Sequence, residues 1–211
     1  MTRSDPGSAP RLTLVPSAEP SFVREFTGKR AATSHRLLDA CSKLIIHSGF
    51  KAVSITAIAE EVGITRQTVY RYFNNSNEII SATLFRAGRE VLEAQYLAFR
   101  QEGEPRDLIV TAVMATLRMV TNNALLSKAL MTGGNPRLLF VGTLDKSIAD
   151  RTVAELRRIG DRVGWSEEEC YEVNEVLIRT VNSYLMMPPA SQNESEIRAG
   201  LYKRLIPSLG L

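Results

Sequence analysis

Residues 54–73 read SITAIAEEVGITRQTVYRYF, and this stretch decides the fold. Ile55 and Ile58 begin a series of apolar residues at three- and four-residue steps, which forms one face of a helix that starts after a capping Ser54. Gly63 follows the last turn, where a residue with positive φ ends a helix at little cost. The pattern therefore predicts a short helix that ends in a sharp turn.

A second helix is predicted directly after this turn, with Thr65 as its cap and Val69, Tyr72 and Phe73 as its inward stripe. The side chains left to point outward are Arg66, Gln67, Thr68, Tyr70 and Arg71. Arginine can bridge two acceptors on guanine, glutamine can pair with adenine, threonine offers a methyl to thymine, and tyrosine can donate to phosphate. Such a pair of helices is a helix-turn-helix, and its outward chemistry predicts DNA binding.

Ala59 strengthens this interpretation because it lies four residues before Gly63, where the two helices cross closely. A larger side chain at that position would force the helices apart. An ordinary amphipathic helical pair, whose polar face is only solvated, is the alternative explanation of the same pattern.

The composition is that of a globular protein with a modest positive charge. Of the 211 residues, 44% are hydrophobic, and the formal net charge at pH 7 is +3. Residues 29–85 hold 7 Lys/Arg against 4 Asp/Glu, whereas residues 1–28 and 86–211 are each balanced. The whole positive excess therefore surrounds the predicted helix-turn-helix, which supports phosphate contact there without deciding it.

Few residues suit catalysis, metal binding or a disulfide. His35 and His47, the only histidines, both lie in the predicted first helix, and no phosphate-binding glycine loop follows a strand. Cys41 and Cys170 fall on helical faces and are interpreted as small core residues. We predict no enzyme activity, no catalytic residue, no metal site and no cofactor. Without an apolar run of about 20 residues, a cytoplasmic protein with no membrane partner is expected.

The periodicity is helical throughout and divides the chain into three parts. Residues 1–30 have the proline-rich composition of a flexible arm, whose basic end can reach a minor groove or simply be solvated. Residues 31–80 form the DNA-binding domain, in which the first helix is predicted over residues 33–48. Residues 81–211 form a second helical domain.

A long helix is predicted to join the two domains. It opens at Asn75 and Glu78, which have capping-box spacing, and runs to about Arg100. Further helices are predicted over residues 105–122, 124–131 and 145–163, then from a Ser166 and Glu169 capping box to residue 186 or 187, and finally from Asn193 with Glu196.

Together these elements resemble the tetracycline-repressor family of bacterial transcriptional regulators over residues 33 to about 85. The resemblance rests on a first helix ending in Gly49-Phe50 and on Ser54-Ile55-Thr56, Ile58-Ala59, Gly63-Ile64-Thr65, Thr68-Val69-Tyr70-Arg71-Tyr72-Phe73 and Glu78-Ile79-Ile80. It implies an all-α fold: an N-terminal three-helix helix-turn-helix DNA-binding domain joined by a long helix to a C-terminal helical ligand-binding and dimerisation domain.

The resemblance also assigns roles at the DNA. Arg66, Gln67 and Thr68 would be the main base-reading residues, with Tyr70 and Tyr72 at phosphates or thymine methyls. The full set of predicted DNA-binding residues is Thr56, Thr65, Arg66, Gln67, Thr68, Tyr70, Arg71, Tyr72 and Ser76. Ser76 stands where the family usually has a phosphate-gripping lysine. Because a hydroxyl at a helix N-terminus holds phosphate without a full charge, we expect a shallower salt dependence.

A homodimer through the last two helices is a further implication of the resemblance. The residues that fit such an interface are Val173, Leu177, Val181, Tyr184 and Leu185, beside Ile197, Leu201 and Leu205. An intramolecular core explains the same apolar stripes equally well. Paired half-sites on DNA favour proteins with two-fold symmetry.

The resemblance implies a cavity for an unidentified small-molecule effector among the middle helices. Arg118 would receive an anionic group of the ligand, within a predicted site of Met114, Leu117, Arg118, Phe140 and Leu144. A solvent-facing position or an internal salt bridge is the alternative for Arg118.

The predicted function is that of a sequence-specific DNA-binding transcriptional regulator. In its fullest form it is a dimeric repressor that a small-molecule effector releases from palindromic double-stranded operator DNA. The alternative is a ligand-binding or scaffolding helical protein with little specific DNA binding. The outward polar groups of residues 66–71 favour the DNA-binding regulator, since a helix that no longer bound DNA would not need to present them.

Overall fold

A computed structural model describes residues 28–131, 146–189 and 193–211, with no side-chain description for residues 146–148. Every regular element within these ranges is helical. In chain order the α-helices are α1 (Gly28–Ser48), α2 (Ile55–Val62), α3 (Arg66–Tyr70), α4 (Ser76–Phe99), α5 (Pro105–Asn122), α6 (Ala124–Met131), α7 (Lys146–Val163), α8 (Glu167–Met186) and α9 (Glu194–Ser208), with a short 3₁₀ turn at Phe50–Ala52. The all-α prediction is confirmed.

The start of α1 differs from the prediction. The helix begins at Gly28 rather than at residue 33, so it takes in the last residues assigned to the N-terminal arm. Thr33, a predicted cap, lies inside the helix, where its hydroxyl donates to the carbonyl of Lys29 at 3.1 Å. The rest of the arm, residues 1–27, lies outside the described ranges.

The predicted caps form with small differences. Asn75 Oδ1 accepts from the Glu78 amide at 2.9 Å, but the Glu78 carboxylate accepts from Asn74 rather than from Asn75. The Ser166 and Glu169 box closes in both directions. At the start of α9, the Asn193 side chain accepts from the Ser195 amide at 2.9 Å, and the Glu196 amide donates to the Asn193 carbonyl at 3.1 Å.

The molecule has two apolar cores. The first lies between α1, α2, α3 and the first half of α4, around Leu37, Ile58 and Val69, which are fully buried. Short helix α6 joins this core through Leu125, Leu126 and Ala129. A helix that follows α5 in the chain therefore supports the predicted DNA-reading unit, which is built on this first core.

The second core lies between the end of α4 and helices α5, α7, α8 and α9. Helix α5 is central, since it packs against α4, α6, α7, α8 and α9. Ile109 and Val110 on α5, together with Leu156 on α7, have no exposed surface. This arrangement matches the predicted C-terminal helical domain.

Helix α4 connects the two cores. Its 24 residues span about 36 Å at 1.5 Å per residue, with Ile79 in the first core and Phe99 in the second. Arg100, which follows the helix, donates to both carboxylate oxygens of Glu155 on α7. The C-terminal end of α4 is thereby connected to α7 of the second core.

Among the described residues, no single helix is long and apolar enough to cross a membrane. Helices α5 and α6 reach that length and composition only when taken together, and they are bent by 83° at their junction.

Candidate nucleic-acid interface

Helix α2 and the following turn have the geometry that the motif requires. Ser54 caps α2 by accepting from the Ala57 amide at 3.1 Å. Gly63 adopts φ 73° and ψ 41°, the left-handed conformation in which glycine avoids a steric penalty. The Ile64 amide then donates to the Ala59 carbonyl at 3.0 Å. The turn therefore closes by backbone hydrogen bonds, and the prediction for Gly63 is confirmed.

Helix α3 is short, and it is held in place by a buried side chain and by an N-terminal cap. Thr65 Oγ1 accepts from the Thr68 amide at 3.2 Å and lies 2.9 Å from the Thr68 hydroxyl. Val69 is fully buried, and Phe73 retains 2% of its surface. With one side chain in the core and a cap at its first turn, α3 has a defined orientation on the domain.

The outward face of α3 carries the predicted reading chemistry. Arg66, Gln67, Tyr70 and Arg71 are exposed, and Tyr70 keeps 55% of its surface. Thr68 is half-buried, and its hydroxyl lies against that of Thr65. Two cations, an amide and a phenol are therefore displayed side by side on a capped helix, which suits contact with base edges and phosphates.

The remaining predicted DNA-binding residues flank this face. Thr56 is exposed on α2, and Ser76 is half-buried as the first residue of α4. Tyr72 is 8% exposed and takes the inward position expected from its spacing. The guanidinium of Arg30 lies over the Tyr72 ring, 5.8 Å from its centroid. A DNA contact by Tyr72 stays a prediction, and its burial leaves little of the side chain available for such a contact.

The structure adds two cationic residues that sequence reasoning did not single out. Arg36 on α1 donates to the backbone carbonyl of Val62 at 2.9 Å, and Lys43 pairs with Glu61 at 3.4 Å. Both contacts join α1 to the last turn of α2. A local pattern does not reveal them because the partners lie far apart in the sequence.

The cysteines behave as core residues in the structure. Cys41 and Cys170 are buried thiols that form no disulfide. Burial raises the pKa of the Cys41 thiol to about 11 and outweighs the opposing effects of Thr83 and Arg86. Cys41 is therefore protonated at neutral pH and poorly nucleophilic. Within the described ranges, no group of three His, Cys, Asp or Glu side chains is placed to hold a metal ion.

The predicted effector residues are not brought together in the described ranges. Met114 and Leu117 are buried in the second core, where they pack with other apolar residues. Arg118 is exposed, and its Nε donates to Glu194 on α9 at 2.9 Å, which matches the salt-bridge alternative. Phe140 and Leu144 lie outside the described residues.

Most of the apolar stripe predicted for dimer contact is buried inside the chain. The buried members, all in the second core, are Val173, Leu177, Val181, Leu201 and Leu205. Tyr184, Leu185 and Ile197 are half-buried at its margin. The intramolecular explanation therefore accounts for most of the stripe.

Comparison with known proteins places this geometry in a family. The family model described as bacterial regulatory proteins, tetR family, matches residues 37–83, which run from within α1 through α2 and α3 into the first two turns of α4. The uncharacterized HTH-type transcriptional regulator Rv1255c of Mycobacterium tuberculosis is 26% identical over 82% of this chain and 83% of its own length. YvkB of Bacillus subtilis, also named an uncharacterized HTH-type transcriptional regulator, is 33% identical over 25% of this chain and 28% of its own.

Solved structures of similar fold carry the same family name or regulator titles. The TetR family repressor AlkX from Dietzia sp. superposes with a TM-score of 0.60 at 20% identity, over 87% of this chain and 98% of that one. The fatty acid degradation regulator FadR from Bacillus halodurans gives 0.63 at 14% identity, over 86% and 96%. At these identities the match establishes the shared fold. The family match over residues 37–83, the named relatives and the shared fold together support a DNA-binding transcriptional regulator of the tetR family.

Proposed function

We propose that the protein is a homodimeric repressor that binds a palindromic operator and is released by a small-molecule effector. The observation that carries the proposal is the outward face of α3, where Arg66, Gln67, Tyr70 and Arg71 stay exposed above a fully buried Val69. A helix fixed in this way can enter a major groove with several base-reading groups in register.

Within this proposal the residues divide between bases and backbone. Arg66 and Gln67 at the start of α3 read base edges, because recognition helices enter the groove with their N-terminal residues. Tyr70 and Arg71 contact phosphate, and Thr56 on α2 and Ser76 on α4 provide hydroxyl donors beside them. Thr65 acts through its cap on α3. Thr68 contributes its methyl to thymine, since its hydroxyl already faces Thr65.

The proposed homodimer uses outward residues of the last two helices rather than the buried stripe. Met186 and Met187 at the end of α8 keep 48% and 74% of their surface, and Tyr171 keeps 38%. The two adjacent exposed methionines at the end of α8 favour an interface there, because methionine adapts to varied partners. A two-fold dimer presents two copies of α3 to a palindrome.

The proposed effector binds the C-terminal unit. Helix α5 passes through the middle of this unit, so a ligand between α5 and its neighbours would move several helices at once. Met114 and Leu117 are the apolar contacts carried forward from the sequence. Arg118 is better described as an ion-pair residue, because a ligand anion would have to displace Glu194 from it.

Regulation by DNA binding also fits a protein that acts in the cytoplasm without catalysis or a cofactor. The named relatives are regulators, and the exposed chemistry of α3 suits binding rather than turnover. The competing proposal is a helical ligand-binding or scaffolding protein with little specific DNA binding.

The experiment that separates these functions is selection of bound duplexes from a random DNA pool by the purified protein at near-physiological salt. Enrichment of a palindrome, bound at two chains per duplex by mass, is the expected result. Half-sites should lie about one helical turn apart or a multiple of it. Binding without any enriched sequence would favour the ligand-binding or scaffolding alternative.

A further inference from the structure

A long-range contact from α1 ends on the backbone of the helix-turn-helix. Nη2 of Arg36 donates to the carbonyl oxygen of Val62 at 2.9 Å, across 26 residues of sequence. Val62 is the last residue of α2, and Gly63 then turns the chain toward α3. The guanidinium therefore holds the point at which the chain leaves the first helix of the motif.

This carbonyl lies in the turn of α2 that needs outside partners, because the last four carbonyls of a helix have no partner within it. Gly63 and Ile64 direct their amides back to Ala59 and Glu60. Val62 lies beyond those two acceptors, and its carbonyl is bonded by Arg36 instead. The positive charge also faces the negative end of the α2 dipole.

Lys43 makes a second contact between the same two helices and provides a comparison. It lies about two turns further along α1, and its Nζ is 3.4 Å from Glu61. The two side chains are 66% and 39% exposed, so this pair is solvated and can rearrange. Arg36 instead bonds a backbone atom, whose place is set by the helix. Of the two contacts, only that of Arg36 ends on a backbone atom next to the turn.

We infer that Arg36 is a positioning residue for DNA reading: it fixes the α2 to α3 turn and thereby the angle at which α3 meets the groove. The inference rests on the proposed function of α3. Base contacts require the reading groups to hold a defined register, whereas contacts to the uniform phosphate backbone tolerate a small rotation of the helix. Loss of Arg36 should therefore affect specific binding more than non-specific binding.

A direct phosphate contact by Arg36 is the competing role, since the side chain is exposed. That role predicts a different pattern. A lost phosphate contact weakens binding to all sequences alike and makes the salt dependence shallower by about one ion. A lost positioning contact leaves the salt dependence nearly unchanged and lowers the ratio of specific to non-specific affinity.

The test compares Arg36→Ala with Lys43→Ala in the full chain. Both variants remove one positive charge from α1 and one contact to the end of α2, so they are matched. Amide hydrogen exchange at Gly63 and Ile64 reports on the turn, and titrations with the selected duplex and with a scrambled duplex at several salt concentrations report on DNA.

For Arg36→Ala we expect faster exchange at Gly63 and Ile64. We also expect a loss of about tenfold in specific affinity, equivalent to about 1.4 kcal/mol, with non-specific affinity and salt slope unchanged. Lys43→Ala should resemble the wild type in both measurements. Mere destabilisation would lower both affinities together, so the ratio separates positioning from stability.

Equal loss of specific and non-specific affinity in Arg36→Ala, or unchanged exchange at Gly63 and Ile64, would overturn the inference. So would identical behaviour of the two variants. Failure of the wild-type protein to enrich any duplex would instead count against the proposed function. In that case the exchange comparison would still decide whether Arg36 holds the turn.

Discussion

The DNA-reading unit and the C-terminal unit differ in where their functional groups come from. In the first, a stretch of twenty residues supplies the cap, the turn, the buried anchor Val69 and the exposed face of α3. In the second, those predicted ligand residues that the structure describes come from one central helix, α5, and they are buried or paired. Met114 is in the core, and Arg118 is bonded to Glu194.

The difference shows how far a local pattern reaches. A helix-turn-helix site is presented by the same short segment that folds it, so spacing alone identifies both the core and the exposed face. A ligand site in a helical bundle is assembled from distant helices. Its residues have the same apolar spacing as an ordinary core, and their role depends on contacts that the spacing does not encode.

The largest effect should come from truncating one leucine in each core. Leu37→Ala truncates a side chain of the first core that is 0% exposed, and Leu177→Ala truncates one of the second core that is 2% exposed. Each should lower the free energy of unfolding by about 2–5 kcal/mol, as measured by urea denaturation. DNA binding of the folded protein should suffer only in Leu37→Ala, whereas equal loss in both variants would mean that the cores do not act separately.

The next effect distinguishes an exposed arginine on α3 from an exposed arginine on α5. Arg66→Ala should weaken operator binding by about 1–3 kcal/mol because a bidentate base contact is lost. Arg118→Ala removes the same charge from the C-terminal unit and should leave operator affinity intact. Fluorescence anisotropy titrations of both variants provide the measurement. Loss of operator binding in Arg118→Ala would instead indicate a folding role for its pair with Glu194.

A backbone substitution tests the turn in isolation. Gly63→Ala forces a residue with a Cβ into the left-handed region, where no neighbouring atom lies within 4 Å, so the cost is conformational. We expect a loss of about 1–2 kcal/mol in the free energy of unfolding. Gly88→Ala, a helical glycine of α4 with equally open space, is the control and should stabilise by about 0.4–1 kcal/mol. Loss of stability in both variants would mean that an added Cβ meets neighbouring atoms at both positions.

The smallest effect, which depends on pH, concerns the ion pair between Arg100, just after α4, and Glu155 on α7. Arg100 holds the pKa of the Glu155 carboxyl below its usual value of 4.5. A carboxyl with a lowered folded pKa contributes stability above its unfolded pKa, and this contribution is lost as pH falls through the folded value. The stability difference between wild type and Glu155→Gln should therefore be full at neutral pH and shrink in acid. A difference that stays constant down to strongly acidic pH would contradict this.

The sequence predicted most of the features that rest on short-range chemistry. Helices α5 and α6 have the predicted bounds, and the Ser166 and Glu169 capping box closes as expected. The predicted start of α1 at residue 33 was wrong, since the helix begins at Gly28, because Thr33 can bond inside a helix as readily as cap one. Packing of α6 into the first core and the contact of Arg36 with Val62 depend on tertiary structure, which no local pattern specifies.

The central claim is that sequence specificity lies in the exposed face of α3. The most direct test is to select duplexes from the same random pool with the wild type and with Gln67→Ala and to compare the preference at each base pair. The account predicts a palindrome for the wild type and, for Gln67→Ala, relaxed preference at one base pair of each half-site while the other positions are kept. Identical preferences at every position would contradict the assignment of α3 to the groove.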